Sequence, residues 1–312
     1  MAHPRILFMG TPAFALPALE QLHIRNYPVI GVVTQPDRPA GRGQKEVAPP
    51  VKLLAQKLNL PVFQPDKVKD HSFLEIFHDL NPEMVVVSAY GQILPKAIID
   101  FPHLGCLNIH PSLLPKYRGA APINWTIIRG ETKTGVTIMD MNEGMDSGDI
   151  LLQQETLIAA AENYGQLHDR LAIQGAGLLI AAIEQMSAGT ALRKPQDASG
   201  VTFAPRLKKE TGRINWSSDA GDIVNLIRGL SPDPAAYTSL SGQTLKIYAA
   251  ESEKDDPRDT PGTIVTQTNR GLTVAAADGY VFLKEIQLAG KKRMSAHDFL
   301  RGHRLNPKTI LG

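Results

Sequence analysis

The chain has 312 residues, of which 43% are hydrophobic and 21% are charged, a composition typical of folded globular proteins rather than disordered ones. Its length suits one large domain or two of medium size. No apolar run approaches the roughly 20 residues that a membrane helix needs, and the N-terminus lacks the pattern of a signal peptide. Cys106 is the only cysteine and no zinc-ligand spacing occurs, so we expect a cytoplasmic protein with no disulfide and no metal.

The net charge of +2 conceals an uneven distribution of charged residues. Basic residues clearly outnumber acidic ones in residues 193–213 and again in residues 284–308. Such local positive fields attract polyanions, including nucleic acids, although a solvated surface is the simpler interpretation of either segment.

The first half of the chain alternates between apolar strands and amphipathic helices. Strands are predicted at residues 5–9, 28–33, 84–88, 106–109 and 135–139, followed by an extended segment at 149–156. A first helix is predicted to end near residue 23, and further helices are predicted at residues 51–58, 71–80, 121–129 and 163–187. Strand–helix–strand units with β-branched runs predict an α/β fold, in which helices cover both faces of a Rossmann-like open sheet.

The pattern changes near residue 188. Residues 188–209 are rich in Gly, Pro, Ser and basic residues and lack periodicity, which favours an ordered linker. Beyond it, short strands are predicted at residues 236–240, 244–249, 262–265, 271–276 and 281–286, with helices at 220–230 and 296–303. This spacing predicts a smaller OB-like β-barrel, so we divide the chain into domains at 1–188 and 209–312, joined by a linker at 189–208.

The turn after the first strand carries no nucleotide-binding motif. Gly10-Thr11-Pro12 does not match the G-x-G-x-x-G fingerprint, and no Walker A sequence occurs in the chain. Neither NAD nor ATP is therefore predicted.

Candidate catalytic residues follow two of the predicted strands. Asn108 and His110 lie two residues apart at the carboxyl end of a strand, where open α/β sheets bind ligands. The acidic loop at residues 142–149 could bring Asp146 against His110. This set has an amide, an imidazole and a carboxylate but no protein nucleophile. It therefore suits a reaction in which one substrate attacks a carbonyl of the other directly. Asn108 would stabilise the oxyanion, and His110 and Asp146 would move protons.

A structural interpretation of the same residues stays open. Asn108 would then cap a turn, His110 would be a hydrogen-bonded loop histidine and Asp146 a turn residue. Ser112 is a nucleophile by type, but no base partner is evident for it in the sequence.

The two segments that carry these residues, NIHPSLLPKYRG at 108–119 and GVTIMDMNEGMDSGDI at 135–150, resemble the folate-dependent formyltransferase family. Residues 5–14, 88–95 and 203–216 extend the resemblance over the whole chain. It implies that Asn108, His110 and Asp146 form the catalytic set. Glycinamide ribonucleotide formyltransferases share this motif, but they are shorter and carry a glycine-rich phosphate loop where this chain has Gly10-Thr11-Pro12.

The resemblance also implies the substrates: 10-formyltetrahydrofolate as formyl donor and the α-amine of initiator methionyl-tRNA as acceptor. By family likeness, the bond between Leu114 and Pro115 is expected to be cis. The residues expected to bind the folate are Ser112, Leu113, Leu114, Pro115, Gln92, Ile93, Leu94, Asn142 and Gly144.

Two basic regions are expected to bind the tRNA. In the family, the loop at residues 36–45 enters the acceptor stem, which implies contacts from Arg38, Arg42 and Lys45. Phosphate contacts are expected from Arg206, Lys208, Lys209 and Arg304, because such contacts give affinity without reading bases.

Three alternatives remain open on the sequence. The acceptor could be a nucleotide-linked amino sugar, the enzyme could hydrolyse 10-formyltetrahydrofolate, or the chain could be a tRNA-binding module without activity. An enzyme that acts on tRNA should lose affinity steeply with salt, whereas enzymes that act on a sugar or on water should not. We expect a monomer. Formylated initiation indicates a bacterium or an organelle, and the lack of an obvious transit peptide favours a bacterial source.

Overall fold

The computed structural model describes residues 3–40, 45–268, 271–303, 305–306 and 308–312. The chain forms two compact units. The first unit comprises Met1–Gly119, Thr134–Thr156 and His168–Phe203, and the second comprises Ala120–Lys133, Leu157–Leu167 and Ala204–Gly312. Among the helices of the described ranges, none is long and apolar enough to cross a membrane.

The first unit is built on a seven-stranded sheet with the strand order β5-β2-β1-β6-β7-β8-β9. The strands are β1 (Ile6–Gly10), β2 (Val29–Val33), β3 (Arg38–Ala40), β4 (Lys45–Val47), β5 (Val62–Phe63), β6 (Met84–Ser88), β7 (Cys106–His110), β8 (Lys133–Asp140) and β9 (Asp149–Leu157). The pairs from β5 through β7 are parallel, whereas β8 runs antiparallel to β7. Strands β3 and β4 form a separate antiparallel hairpin.

The helices of the chain are α1 (Leu16–Ile24), α2 (Pro50–Lys57), α3 (His71–Leu80), α4 (Lys96–Ile99), α5 (Pro122–Ile128), α6 (Tyr164–Ser187), α7 (Ala220–Leu230) and α8 (Ala296–Gly302). Proline occupies the first turn of α1, α2 and α5, where its missing N–H costs no helical hydrogen bond. Helix α3 ends at Asn81, whose φ of 45° is the left-handed conformation that terminates many helices.

Strands β1, β6 and β7 are buried along their whole length. This explains their continuous apolar sequences, since helices cover both faces of a parallel sheet. Polar residues interrupt the pattern only near the ends of β6 and β7, at Ser88, Asn108 and His110. The sheet therefore supports polar groups at one edge.

The second unit contains an antiparallel sheet with the order β10-β11-β14-β13-β12, and β15 pairs with β14. Its strands are β10 (Ala236–Leu240), β11 (Gln243–Lys254), β12 (Ile264–Thr268), β13 (Gly271–Ala275), β14 (Gly279–Leu288) and β15 (Met294–Ser295). The C-terminal residues link the two edges of this sheet. Gly312 donates its N–H to Ser239 in β10, and Thr309 accepts from Ile264 in β12. The predicted fold class is confirmed, with the β-barrel present as an antiparallel half-barrel.

Three features differ from the predicted elements. The predicted loop at residues 36–45 includes β3 and the first residue of β4, and α4 and β5 are short elements for which no periodicity was evident. Residues 194–203 of the predicted linker pair with the first unit, since Lys194 exchanges two backbone hydrogen bonds with Ile150 and Phe203 bridges to Arg118. Backbone pairing leaves no mark on hydrophobic periodicity, so the sequence predicted an ordered linker without indicating which strands it pairs with. The predicted domain boundaries remain a prediction.

Candidate active site

Strand β7 carries Asn108 and His110 in its last three residues. In the sheet register, Asn108 lies opposite Val87 and Met139, and His110 lies opposite Thr137. The two side chains project to the same face because they are two residues apart on a strand. Both residues are buried, with exposed fractions of 9% and 4%. Polar side chains at such depth require partners or a function.

The loop between β8 and β9 brings Asp146 to His110. Strand β8 ends at Asp140 opposite Leu107, so this loop runs back along β7. The Asp146 Oδ1 atom lies 3.7 Å from Nδ1 of His110, and Oδ2 accepts the backbone N–H of Gly119 at 2.8 Å. Asp146 has a φ of 48°, a left-handed conformation that is uncommon for residues other than glycine.

The second ring nitrogen of His110 fixes the protonation pattern of the imidazole. Nε2 lies 3.1 Å from the carbonyl oxygen of Tyr117. Because a carbonyl only accepts, Nε2 is the donor in this contact, and Nδ1 is the ring nitrogen that faces Asp146. An imidazole beside a carboxylate is an arrangement suited to proton transfer with a reacting amine.

The Asn108 side chain has no hydrogen-bond partner among the described residues. A buried amide is costly without a partner. Its N–H groups are therefore available to a substrate oxygen, as the stabilisation of an oxyanion requires.

Thr137 and Gln153 form hydrogen bonds with the backbone of residues 112–115, the segment expected to bind the folate. The Thr137 hydroxyl donates to the Ser112 carbonyl at 2.7 Å and accepts the Leu114 N–H at 3.1 Å. Gln153 donates to the Leu114 carbonyl at 2.8 Å, and the Leu114–Pro115 bond is cis, as expected. Thr137 and Gln153 were not predicted from the sequence, although a threonine within the buried apolar run of β8 was a detectable signal.

Within residues 112–115, the side chains differ in their surroundings. The Ser112 hydroxyl is buried and donates to the Lys116 carbonyl at 2.6 Å, so it is committed to the turn. Leu114 is buried with Met139, whereas Leu113 is half-buried.

The other expected folate residues lie in two loops, after β6 and after β8. Gln92 holds the neighbouring loop, because it accepts the Val68 N–H and donates to the Asp66 carbonyl. Ile93 is 91% exposed and Leu94 is buried in the core.

The loop after β8 is organised internally. Asn142 Oδ1 accepts from the Gly144 N–H and from the Ser147 hydroxyl. An ion pair of 3.9 Å between Lys96 and Glu143 connects this loop to the start of α4. The two loops that were expected to contact the folate are thus neighbours.

Among the residues expected to bind tRNA, Arg38 is exposed. Arg38 lies in β3 and donates to Gln35, and the backbone of Lys45 pairs with Ala40. Arg206, Lys208 and Lys209 are exposed, and none has a carboxylate partner within the described ranges. Arg42 and Arg304 lie outside the described residues.

Two buried groups near the site have raised pKa values. Burial, with a smaller contribution from Asp140, raises the pKa of the Cys106 thiol. Burial raises the pKa of Tyr90 to about 12, and its hydroxyl lacks a partner among the described residues. Both groups are uncharged at neutral pH. No group of three or more His, Cys, Asp or Glu residues in the described part of the chain could hold a metal ion.

Comparison with known proteins identifies the family. The formyl transferase family model matches residues 4–183, and the model of the formyl transferase C-terminal domain matches residues 206–304. A methionyl-tRNA formyltransferase of Syntrophus aciditrophicus is 56% identical over 312 residues, covering 100% of both chains. The chain belongs to the methionyl-tRNA formyltransferase family. A second member, from Geotalea uraniireducens, is 48% identical over 312 residues, covering 100% of this chain and 99% of the relative.

Solved structures with lower identity share the fold of this formyltransferase. HypX from Aquifex aeolicus, in complex with tetrahydrofolic acid, superposes with a TM-score of 0.66 at 17% identity. That match covers 98% of this chain and 49% of HypX, so the chain spans about half the length of HypX. An N-formyltransferase from Helicobacter canadensis, in complex with folinic acid and dTDP-3-aminofucose, gives 0.65 at 18% identity, covering 94% of this chain and 100% of that one.

Proposed function

We propose that the protein transfers the formyl group of 10-formyltetrahydrofolate to the α-amino group of initiator methionyl-tRNA. The observation that carries this proposal is the arrangement of the buried Asn108 and His110 with Asp146, in which an amide adjoins a His–Asp pair. The arrangement includes no protein nucleophile, and full-length relatives at 56% and 48% identity bear this activity in their names. We expect the enzyme to act as a monomer in the cytoplasm.

The chemistry needs placement more than activation. A free α-amine has a pKa near ~8, and esterification to tRNA lowers it, so much of the amine is neutral at working pH. Asn108 donates to the formyl oxygen as the new C–N bond forms and negative charge develops there. The His110–Asp146 pair accepts the proton that the amine loses. The C–N bond to N10 of the folate then breaks, and N10 takes up a proton.

The residues near the catalytic set fit a flat, partly apolar donor. Ile93 is exposed although it is large and apolar, and Met145 in the neighbouring loop is 61% exposed. Exposed apolar side chains on adjoining loops are typical of ligand-binding grooves. Together with the fixed turn at residues 112–115, they would hold the folate while Asn108 contacts its formyl oxygen.

The proposed binding of the acceptor tRNA is argued from positively charged residues. Lys208, Lys209 and Arg206 form a short exposed run of cations in the second unit, suited to phosphate contacts. Arg38, Arg42 and Lys45 on the hairpin segment are proposed to reach the acceptor stem, and Arg304 to add a further phosphate contact.

The test is formyl transfer from 10-formyltetrahydrofolate to charged initiator tRNA, with the wild type beside His110→Ala. We expect rapid transfer by the wild type and loss of turnover by orders of magnitude in the variant. A folded wild type that formylates a nucleotide-linked amino sugar but not methionyl-tRNA would overturn the acceptor. Release of formate without any acceptor would instead indicate a hydrolase.

A further inference from the structure

Gln196, in the segment predicted as a linker, contacts the loop that carries Asp146. Its Nε2 donates to the carbonyl oxygens of Asp146 at 2.9 Å and of Gly148 at 2.8 Å. Its Oε1 accepts from Arg118, at 3.1 Å from Nε and 2.7 Å from Nη2. These contacts use both donors and both acceptor positions of the glutamine amide. One side chain therefore ties Arg118 to the Asp146 loop.

Arg118 decides which way the amide of Gln196 points. A guanidinium has only donors, so it requires the oxygen of the amide, and the NH₂ group must then face the two loop carbonyls. A carboxylate at position 196 would keep the contact with Arg118 but would lose both donors to the loop. The interaction is thus specific for glutamine.

The residues beside Arg118 contact the catalytic pair directly. Tyr117 offers its carbonyl to His110 Nε2, and Gly119 donates its N–H to the Asp146 carboxylate. Thr202 in turn accepts the N–H of Tyr117 at 2.9 Å and the N–H of Arg118 at 2.9 Å. The segment from Gln196 to Thr202 therefore supports both members of the pair.

The backbone of Asp146 needs such support. Its positive φ is unfavourable for a residue with a side chain, and such conformations persist where surrounding contacts impose them. Gly119 fixes one carboxylate oxygen, whereas Gln196 holds the backbone carbonyls of Asp146 and Gly148, the residues that flank Ser147. Without Gln196 the loop would keep the carboxylate contact but lose its backbone anchor.

We propose that Gln196 is a positioning residue for formyl transfer, which acts by holding the Asp146 carboxylate against His110. The proposal rests on the proposed function, since it assigns Gln196 an effect only through Asp146. The same contact gives residues 193–203, which belong to the first unit, a role in the candidate active site beyond that of a linker.

The test compares Gln196→Met and Gln196→Glu with a matched glutamine elsewhere in the same unit. Gln174 also donates to a backbone carbonyl, that of Gln154 at 3.0 Å, so Gln174→Met is the control. We expect both Gln196 variants to lose roughly 100-fold in kcat, the effect of a misplacement of about 1 Å, with a much smaller change in KM for the folate. The control should stay within about twofold of wild type.

A double variant separates positioning from general structural damage. If Gln196 acts through Asp146, adding Gln196→Met to Asp146→Asn should lower kcat little further than Asp146→Asn alone. The carboxylate that Gln196 positions is already absent from that variant. Losses that multiply in the double variant would overturn the proposal. Gln196→Glu, of nearly identical shape, serves if Gln196→Met fails to fold.

The two proposals fail in different ways. An inactive Asp146→Asn beside fully active Gln196 variants would overturn the positioning role and leave the proposed function standing. A fully active Asp146→Asn would remove the catalytic role of Asp146 and the positioning role with it. Normal kcat with a raised KM in the Gln196 variants would also overturn the proposal, because it would indicate substrate binding.

Discussion

His110 and Asp146 face each other across 3.7 Å, between Nδ1 and Oδ1, although one belongs to a buried strand and the other to a partly exposed loop. The opposite ring nitrogen of His110 faces a backbone carbonyl, so the imidazole is oriented from both sides. A second His–Asp pair, between His168 and Asp169, is closer at 2.9 Å, but its carboxylate is largely exposed. Burial, rather than distance, distinguishes the candidate catalytic pair.

This difference gives a first prediction. Asp146→Asn retains an oxygen that can accept the Gly119 N–H but removes the carboxylate charge. We expect kcat to fall by about 10²–10⁴-fold, the usual contribution of a proton-transfer group, with little change in the melting temperature. Asp169→Asn alters the exposed pair and should leave kcat unchanged in the same steady-state assay. Equal losses in the two variants would contradict the assignment.

Asn108 gives the second prediction. Because its side chain has no partner among the described residues, Asn108→Ala should leave the free energy of unfolding nearly unchanged. Its kcat should fall by about 10²–10³-fold, the effect of removing one oxyanion donor. Single-turnover transfer with saturating donor measures the chemical step directly. A variant that is unstable but fully active per folded molecule would show a structural asparagine instead.

Asn124 provides the opposite case and a third prediction. This buried asparagine on α5 donates to the Gly229 carbonyl on α7 at 2.8 Å. Asn124→Ala leaves that buried carbonyl unpaired, so the free energy of unfolding should fall by about 1–3 kcal/mol in urea denaturation. The kcat should not change at a temperature where the variant is folded. A large fall in kcat without loss of stability would contradict this structural role.

Much of the first unit followed from local sequence. The apolar runs at residues 84–88 and 106–109 predict buried strands, because apolar residues suit a sheet that is covered on both faces. The two-residue spacing of Asn108 and His110 then predicts a shared face. Asp146 is distant from His110 in the sequence, but it was still predicted as a catalytic residue because it lies in the family motif.

Contacts that depend on chain path were not predictable in this way. Gln196 meets Asp146 only because residues 193–203 run along the first unit by backbone pairing, which has no periodic signature. Helix α5 was predicted, yet its packing against α7 within the second unit was not, since an apolar helix face does not specify its partner. The hairpin of β3 and β4 was missed because its strands are three residues long.

The fourth prediction concerns alkaline pH. Burial raises the pKa of the Cys106 thiol in the folded protein, whereas an unfolded thiol ionises near ~8.5. Folding therefore favours the neutral thiol of Cys106. Its contribution to the free energy of unfolding is fully present below pH ~8.5 and decreases as the pH rises further. The free energy of unfolding should fall less steeply between pH 8 and pH 10 in Cys106→Ala than in the wild type. Identical slopes would mean that the thiol ionises equally in both states.

The last prediction concerns Lys208 and Lys209, two exposed cations of the second unit. Lys208 and Lys209 have no carboxylate partner within the described ranges, whereas Lys284 in β14 pairs with Glu251 at 3.0 Å. If the unpaired lysines bind phosphates, replacing both with Gln should weaken tRNA binding at each salt concentration. The slope of log Kd against log salt should decrease by about 1 for each phosphate that the variant no longer neutralises.

Lys284→Gln removes a lysine already engaged with a carboxylate, so its salt slope should match that of the wild type. The measurement is filter binding of initiator and elongator methionyl-tRNA over a series of salt concentrations. Because phosphate contacts do not read bases, both tRNAs should lose affinity equally in the Lys208 and Lys209 double variant. An unchanged slope would place the tRNA elsewhere on the protein, and weaker binding of the initiator alone would assign these lysines to discrimination between the two tRNAs.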